Sequence, residues 1–343
     1  MNIQTALQAL VEGKDLSRAE TEEVFQLIMT GEATPAQIGA FLAAIRVKGE
    51  TPEEMAGAAT VMRSLATKVP VEHPNLVDTC GTGGSGVKLF NISTAAAFVT
   101  AAAGAKVAKH GNRKMTSFSG SADVLEEAGV NLQLTPEQIA TCVLEVGVGF
   151  MFAQAHHSAM RFAGPVRQEI GVRTMMNVLG PMTNPAGAKR QVIGVFNEEW
   201  QPKMAEVLNL LGADHAMIVH SQGLDEIRLD AATKVYELKD GNISNYEISP
   251  SDFDISERTQ DEVASLAADS TASSLSLVKQ SLSEQDSLAA EIVALNAGAS
   301  IYVAGVATSL ANGVAMAQDA IASGLATERL NELVRISKLM GET

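Results

Sequence analysis

The sequence predicts a two-part α/β protein: a small all-helical N-terminal domain, then a larger α/β domain whose mostly parallel central sheet is covered by helices. Three observations carry that expectation. Residues 1–68 hold repeated helix-start signals and little β-branched alternation. After Pro70 and Pro74, short apolar runs alternate with alanine-rich or charged amphipathic stretches, the pattern of parallel strands joined by helices. The length, 343 residues, suits about two domains. The expected division is 1–70 and 71–343, with a helical segment near 165–183 joined to the smaller part.

The elements follow in order. Ser17-Arg-Ala-Glu20 and Thr51-Pro-Glu-Glu54 have capping-box spacing, and Thr34-Pro35 places proline at a first helical position. Gly31 and Gly49 stand where helices should stop. Between them, Val24, Leu27 and Ile28, then Ile38, Phe41, Leu42 and Ile45, recur at helical spacing. Expected strands are Leu76–Thr79, Lys106–Lys109, Val148–Phe152, Gln191–Phe196 and Ala216–His220. Tyr236–Asp269 reads as a hairpin and an acidic loop. From about Ala272 the chain is helical again, with helices around Ser287–Leu295 and Val314–Ser323.

Composition bounds the function. Two cysteines, Cys80 and Cys142, are too few for a disulfide framework or a cysteine-rich metal site. The alanine-rich stretch Ala95–Ala105 is too short to span a bilayer, and Met1–Val11 lacks a basic leader, so a cytoplasmic protein is expected. The net charge of −15 argues against broad nucleic-acid binding and against anionic membranes. The charge is uneven, however. Residues 79–122 and 146–197 together carry ten Lys and Arg but one acid, Glu169, which suits a local pocket for a small anion.

Asp78-Thr-Cys-Gly-Thr-Gly-Gly-Ser-Gly86 follows an expected strand and precedes an expected helix near Ser93. Gly81, Gly83 and Gly86 match a dinucleotide fingerprint, yet the acid expected about 20 residues on is missing, and no Gly-Lys-Ser/Thr ending follows. What remains is a loop whose N–H groups can approach phosphate, with a helix N-terminus behind it and the basic Lys109-His-Gly-Asn-Arg113 alongside. Asn91, Ser93 and Thr94 suit either a helix cap or a phosphate. Asp225-Glu226, in a short loop after an expected strand, offers hard oxygen ligands for Mg²⁺ or is a solvated loop. His156-His157 is no zinc signature, because adjacent helical side chains diverge. His73, His215, His220 and Cys80 read as packing or linker residues.

Taken in order, Gly81-Thr-Gly-Gly84, Asn91-Ile-Ser-Thr94, Lys109-His-Gly-Asn-Arg113 and Gly120-Ser-Ala-Asp123 resemble the anthranilate phosphoribosyltransferase family. The resemblance continues through His156-His-Ser-Ala-Met160, Gly164-Pro-Val-Arg167, Gly171-Val-Arg173, Asn177-Val-Leu-Gly-Pro181, Thr183-Asn-Pro-Ala186 and Gly223-Leu-Asp-Glu226. It implies transfer of the phosphoribosyl group of phosphoribosyl pyrophosphate (PRPP) to the amine of anthranilate, releasing pyrophosphate, the second step of tryptophan biosynthesis from chorismate. It also implies a homodimer formed through the helical domain. Mg²⁺ is the implied cofactor, two ions per site with one carried by PRPP.

Carried over by motif, the PRPP site comprises Gly81, Gly84, Ser85, Leu89, Asn91, Ile92, Ser93 and Thr94. It continues with Lys109, His110, Gly111, Asn112, Arg113, Lys114, Met115, Thr116, Ser117 and Ser121. Gly81, Asn112, His157 and Arg167 would receive anthranilate, Arg167 forking onto its carboxylate. Ser93, Asp225 and Glu226 would bind metal. No dedicated acid or base is implied, since an aromatic amine is already a usable nucleophile and positioning supplies much of the effect. Two segments depart from the family: Ser85 replaces the usual aspartate at the end of the glycine loop, and in Lys114-Met-Thr-Ser-Phe118 the residues Met115 and Phe118 are apolar where small or basic residues are common. The alternatives are a non-catalytic nucleic-acid-binding relative and a pyrimidine nucleoside phosphorylase. Net charge and the Arg167 and Asp225-Glu226 positions oppose the first, Asn112-Arg113 and Ser121–Asp123 the second.

Overall fold

A computed structural model describes residues 1–84, 88–114 and 118–341. Four helices come first: α1 (Ile3–Val11), α2 (Arg18–Thr30), α3 (Pro35–Lys48) and α4 (Pro52–Leu65). Ser17, Thr34 and Thr51 each accept the N–H three residues on, and Glu20, Gln37 and Glu54 return the bond. Each cap stabilises its helix by about 1 kcal/mol. Glu54 does more than cap. Its buried carboxylate also accepts from the Leu16 N–H at 2.9 Å and from Lys48 Nζ at 3.0 Å, tying α4 to the α1–α2 loop and to the end of α3.

Strands and helices then alternate: β1 (Leu76–Gly81), α5 (Ile92–Ala102), β2 (Lys106–Gly111), α6 (Ser121–Glu127), α7 (Pro136–Glu145) and β3 (Val148–Phe152). Three helices follow, α8 (Ala153–His156), α9 (Met160–Ile170) and α10 (Met176–Leu179), before β4 (Arg190–Gly194), α11 (Trp200–Leu210) and β5 (His215–His220). A hairpin, β6 (Thr233–Lys239) and β7 (Asn242–Ile248), completes the sheet. The chain closes with α12 (Gln260–Ala264), α13 (Thr271–Ser283), α14 (Leu288–Val303), α15 (Leu310–Ala322) and α16 (Leu325–Gly341). The sheet runs β3-β2-β1-β4-β5-β6-β7, parallel through β5 and antiparallel thereafter. Among the described residues no helix is long and apolar enough to cross a membrane.

Several element ends differ from the sequence reading. β1 runs on through Cys80 and Gly81 because these pair with Ile193 and Gly194 of β4, and β2 runs on to Gly111 against Phe152. The hairpin starts at Thr233 rather than Tyr236. It is closed by Asp240-Gly241, both with positive φ (50° and 80°), a two-residue turn whose twist matches that of the strands.

Side-chain alternation splits the core between the two faces of the sheet. Val192, Met217 and Val219 face α5 and α14, while Ile193, Ala216 and Ile218 join the apolar cluster of the N-terminal helices. The first four helices therefore do not close a core alone. Their cluster includes Ala163 and Val166 of α9, Val178 of α10 and Met204 of α11.

Candidate functional site

The chain leaves β1 towards β2 and β3, then returns to β4 on the other side of β1. Strand order reverses between β1 and β4, and the crevice at the carboxyl ends of such strands is where open α/β sheets hold ligands. A cleft of about 310 Å³ opens there, walled by the glycine loop, the start of α5, the end of β2 with its basic loop, and Asp225-Glu226.

Two glycines make room for the acids. Gly81 and Gly194 are paired across β1 and β4. A Cβ on either would run into Asp225: 3.1 Å from its Cγ in the case of Gly81, 3.0 Å from its Cα in the case of Gly194, with oxygen atoms nearer still. Asp225 Oδ2 in turn accepts the Gly83 N–H at 2.9 Å. The loop after β5 is thereby held against the glycine loop. Gly194 was absent from the sequence reading, because a glycine at a strand end carries no motif of its own.

At α5 the choice between cap and ligand resolves unevenly. Asn91 does not cap the helix with its side chain; its Oδ1 accepts from Ser274 Oγ at 2.7 Å and its Nδ2 donates to the Ser119 carbonyl at 3.3 Å. The cap is Glu226, which accepts the Ser93 N–H at 3.2 Å. Thr94 Oγ1 is buried with no partner among the described residues, a hydroxyl on the cleft wall still wanting a hydrogen bond. Ile92 is buried in the core, and Leu89 lines the cleft while bridging to Ala267.

Lys109 lies in the floor. Its ammonium donates to the Thr79 carbonyl at 2.6 Å and to Ser93 Oγ at 3.4 Å. Burial lowers its pKa, opposed by Asp78, while burial raises the Asp78 carboxyl, opposed by Lys109. Asp78 is further held by Asn184 Nδ2 at 2.8 Å and by the His110 N–H at 3.2 Å. The Cys80 thiol is pushed well up by burial and by Asp78, which leaves it a packing residue rather than a nucleophile.

The basic loop is ordered by α6. Asp123 accepts the Lys114 N–H at 2.8 Å and the Gly120 N–H at 2.9 Å, and Ser121 Oγ donates to the Asn112 carbonyl at 3.4 Å. Arg113 lines the cleft, yet its guanidinium is bonded to Asp123 at 3.2 Å and to Glu126 at 2.6 Å. His110, Gly111, Asn112 and Lys114 also line the cleft. Ser85, Met115, Thr116 and Ser117 lie outside the described residues.

The acceptor residues are placed less directly. His157 and Arg167 are not part of the cleft wall. His157 stacks on His110, which is, at 5.1 Å between ring centres. The Nε2 atoms of both rings are buried without partners among the described residues. Burial, then the neighbouring histidine charge, lowers His110 to about 3 and His157 to about 4, so both are neutral at pH 7. Arg167 is half-buried at the end of α9; its carbonyl accepts the Gly171 N–H, its guanidinium has no hydrogen-bond or ion-pair partner among the described residues, and burial lowers its pKa.

The donor set fits Mg²⁺. Burial, and next the Asp225 charge, push the Glu226 carboxyl up to about 8, against the opposing pull of the Lys109 ammonium. Among the described residues no three His, Cys, Asp or Glu side chains cluster as a cage. Two carboxylates completed by substrate phosphate and water is the usual way this ion is held.

Comparison with known proteins agrees with the geometry. Residues 4–66 match the helical bundle domain of a glycosyl transferase family, and residues 73–327 match its a/b domain. Anthranilate phosphoribosyltransferases from Cellvibrio japonicus and Hahella chejuensis are each 54% identical; the first alignment covers 99% of this chain and all of the relative, the second 100% and 99%. The structure of the Thermus thermophilus anthranilate phosphoribosyltransferase superposes with a TM-score of 0.92 at 40% identity, covering 97% of this chain and 99% of that one. The Saccharomyces cerevisiae enzyme, solved in complex with PRPP and Mg, shares the fold at 23% identity and a TM-score of 0.87 over 98% of each chain.

Proposed function

The chain belongs to this glycosyl transferase family and, within it, to the anthranilate phosphoribosyltransferases of tryptophan biosynthesis, and from that membership we propose how its cleft divides the work. The observation that carries the reading is a juxtaposition in one cleft: the Asp225-Glu226 pair lies against the glycine loop and the N-terminus of α5, accepting the Gly83 and Ser93 N–H groups. That juxtaposition suits a polyphosphate bound together with a divalent cation.

In this reading PRPP lies along the glycine loop and the start of α5. Gly81, Gly84 and Thr94 supply close approach and donors, Asn112, Lys114 and Ser121 close the far side, and Ser85, Met115, Thr116 and Ser117 complete the site as the family motifs imply. Leaving-group departure breaks the bond from C1 to the pyrophosphate oxygen. The anthranilate nitrogen then bonds to C1 and releases its proton to solvent. Preorganised N–H donors stabilise the charge gathering on pyrophosphate, which needs no dedicated acid. Arg167 forks onto the anthranilate carboxylate, with Gly81, Asn112 and His157 completing the acceptor site as the family motifs imply. Asp225, Glu226 and the Ser93 hydroxyl would hold Mg²⁺, two ions per site with one carried by PRPP, and the metal would neutralise pyrophosphate charge.

The wider reading is a cytoplasmic homodimer joined through the helical domain, divided at 1–70 and 71–343, with the segment near 165–183 serving the smaller part. Loss of anthranilate fluorescence in the presence of PRPP and Mg²⁺ tests the assignment, with thymidine plus phosphate as the control. Turnover of thymidine, or none of anthranilate, would overturn it.

A further inference from the structure

Gly171-Val-Arg173 has no part in the site as described so far, yet Arg173 reaches it. Its Nη2 donates to the Gly84 carbonyl at 2.8 Å, and its guanidinium lies over the Phe196 ring at 3.9 Å. Phe196 follows β4, and its own N–H donates to Thr82 Oγ1 at 3.2 Å. Arg173 and Phe196 together line both the cleft and the open cavity beside it. The glycine loop is thus held at Thr82 by β4, at Gly83 by Asp225, and at Gly84 by Arg173.

Gly84 is where a hold is needed. It has φ +79°, a conformation glycine enters and leaves freely. Rotation of its peptide would swing a carbonyl dipole towards whatever anion the loop binds. A carbonyl oxygen facing phosphate is repulsive, whereas one engaged by a guanidinium is turned aside and satisfied. The stack on Phe196 fixes the plane of the fork, which a flexible ammonium could not reproduce. Arg173 also follows α9, whose Ala163 and Val166 are buried with the N-terminal helices. The position of that helical layer is therefore transmitted to the Gly84 peptide through a single side chain.

We infer that Arg173 is a positioning residue for PRPP, locking the Gly84 peptide in the orientation that accepts pyrophosphate and coupling the glycine loop to the helical layer. This rests on the reading that the glycine loop binds PRPP. Steady-state kinetics of R173Q, R173K, F196L and G84A test both, with thermal midpoints as the fold control. R173Q raises the PRPP KM and the pyrophosphate inhibition constant about tenfold, the lower end expected for losing a charge-assisted hydrogen bond at an exposed site. Its kcat and anthranilate KM stay within about twofold, because the bond is not made to the acceptor. R173K and F196L fall between wild type and R173Q, and R173K carries the test where R173Q does not fold. A wild-type PRPP KM in R173K shows that charge alone matters and overturns the positioning role. If G84A raises the PRPP KM while R173Q does not, Arg173 is excluded and the glycine-loop reading stands. If neither moves it, both fall.

Discussion

Gly194→Ala is the smallest change that tests how the acidic loop is seated. The added methyl would lie 3.0 Å from Asp225 Cα and closer to its carbonyl, against the roughly 3.5–4.0 Å at which carbon atoms rest. The obstacle is backbone, so no rotamer relieves it. Either β4 or the Asp225-Glu226 loop shifts by more than about 1 Å, because the Asp225 carbonyl group lies nearer than its Cα, and overpacking of this kind costs about 1–3 kcal/mol. The effect on turnover should exceed that on folding, since displacing catalytic groups by about 1 Å costs on the order of 100-fold. Anthranilate fluorescence across a Mg²⁺ titration reads the first, and a thermal melt the second. The expected result is a large fall in kcat with a raised Mg²⁺ requirement and a midpoint only a few degrees lower. Wild-type turnover and Mg²⁺ dependence in Gly194→Ala would refute the claim that paired glycines seat the metal loop.

Asp225→Asn combined with Glu226→Gln should remove most Mg²⁺-dependent turnover without lowering the thermal midpoint, because the Glu226 charge is already disfavoured by burial. Retained turnover over a Mg²⁺ series would exclude the pair as ligands. Arg167→Ala should raise the anthranilate KM about 10- to 100-fold with the PRPP KM little changed, the range for a lost charge-assisted pair; an unchanged anthranilate KM removes Arg167 from the acceptor site. His110 and His157 have folded pKa values near 3 and 4, below the unfolded value of about 6.5. The unfolded chain therefore binds more protons as pH drops below that value. Stability is full above it and falls by up to about 1.4 kcal/mol per pH unit for each ring as pH drops towards 4. His157→Gln should flatten the decline in midpoint between pH 7 and 5, and an unchanged slope would count against the burial of that ring.

Motifs with a local mechanism were the most legible in the sequence. The capping boxes at Ser17, Thr34 and Thr51 form because donor and acceptor lie three residues apart, and nothing distant intervenes. The parallel strands were legible for the same reason, as apolar runs between helices. Strand ends were not, since Cys80 and Gly81 belong to β1 only through their partners on β4. The hairpin starts at Thr233 rather than Tyr236 because Thr233, Lys234 and Val235 join β6 through their partners on β7, although Asp240-Gly241 is a strong turn signal. Ser274, which holds Asn91 from 183 residues away, and Gly194 have roles that exist only in three dimensions.

Lys109 shows how much a role inferred from motif depends on what lies beneath it. The family motif assigns it to PRPP, and its place at the end of β2 puts it in the cleft wall. Yet it is nearly inaccessible, at 2% exposure, and its ammonium is committed to the Thr79 carbonyl and the Ser93 hydroxyl. Asp78 lies fully buried below it, and the Glu226 carboxyl is buried at the start of α5. Burial disfavours the charge on both carboxyls, and the Lys109 ammonium opposes that rise in each. Lys109 therefore acts first as the counter-charge of the floor and reaches phosphate only as a long-range field. Close contact with an anion would have to come from groups that are neither buried nor already bonded, and Thr82 and Gly83 are not among them, because their N–H groups donate to Gly194 and Asp225.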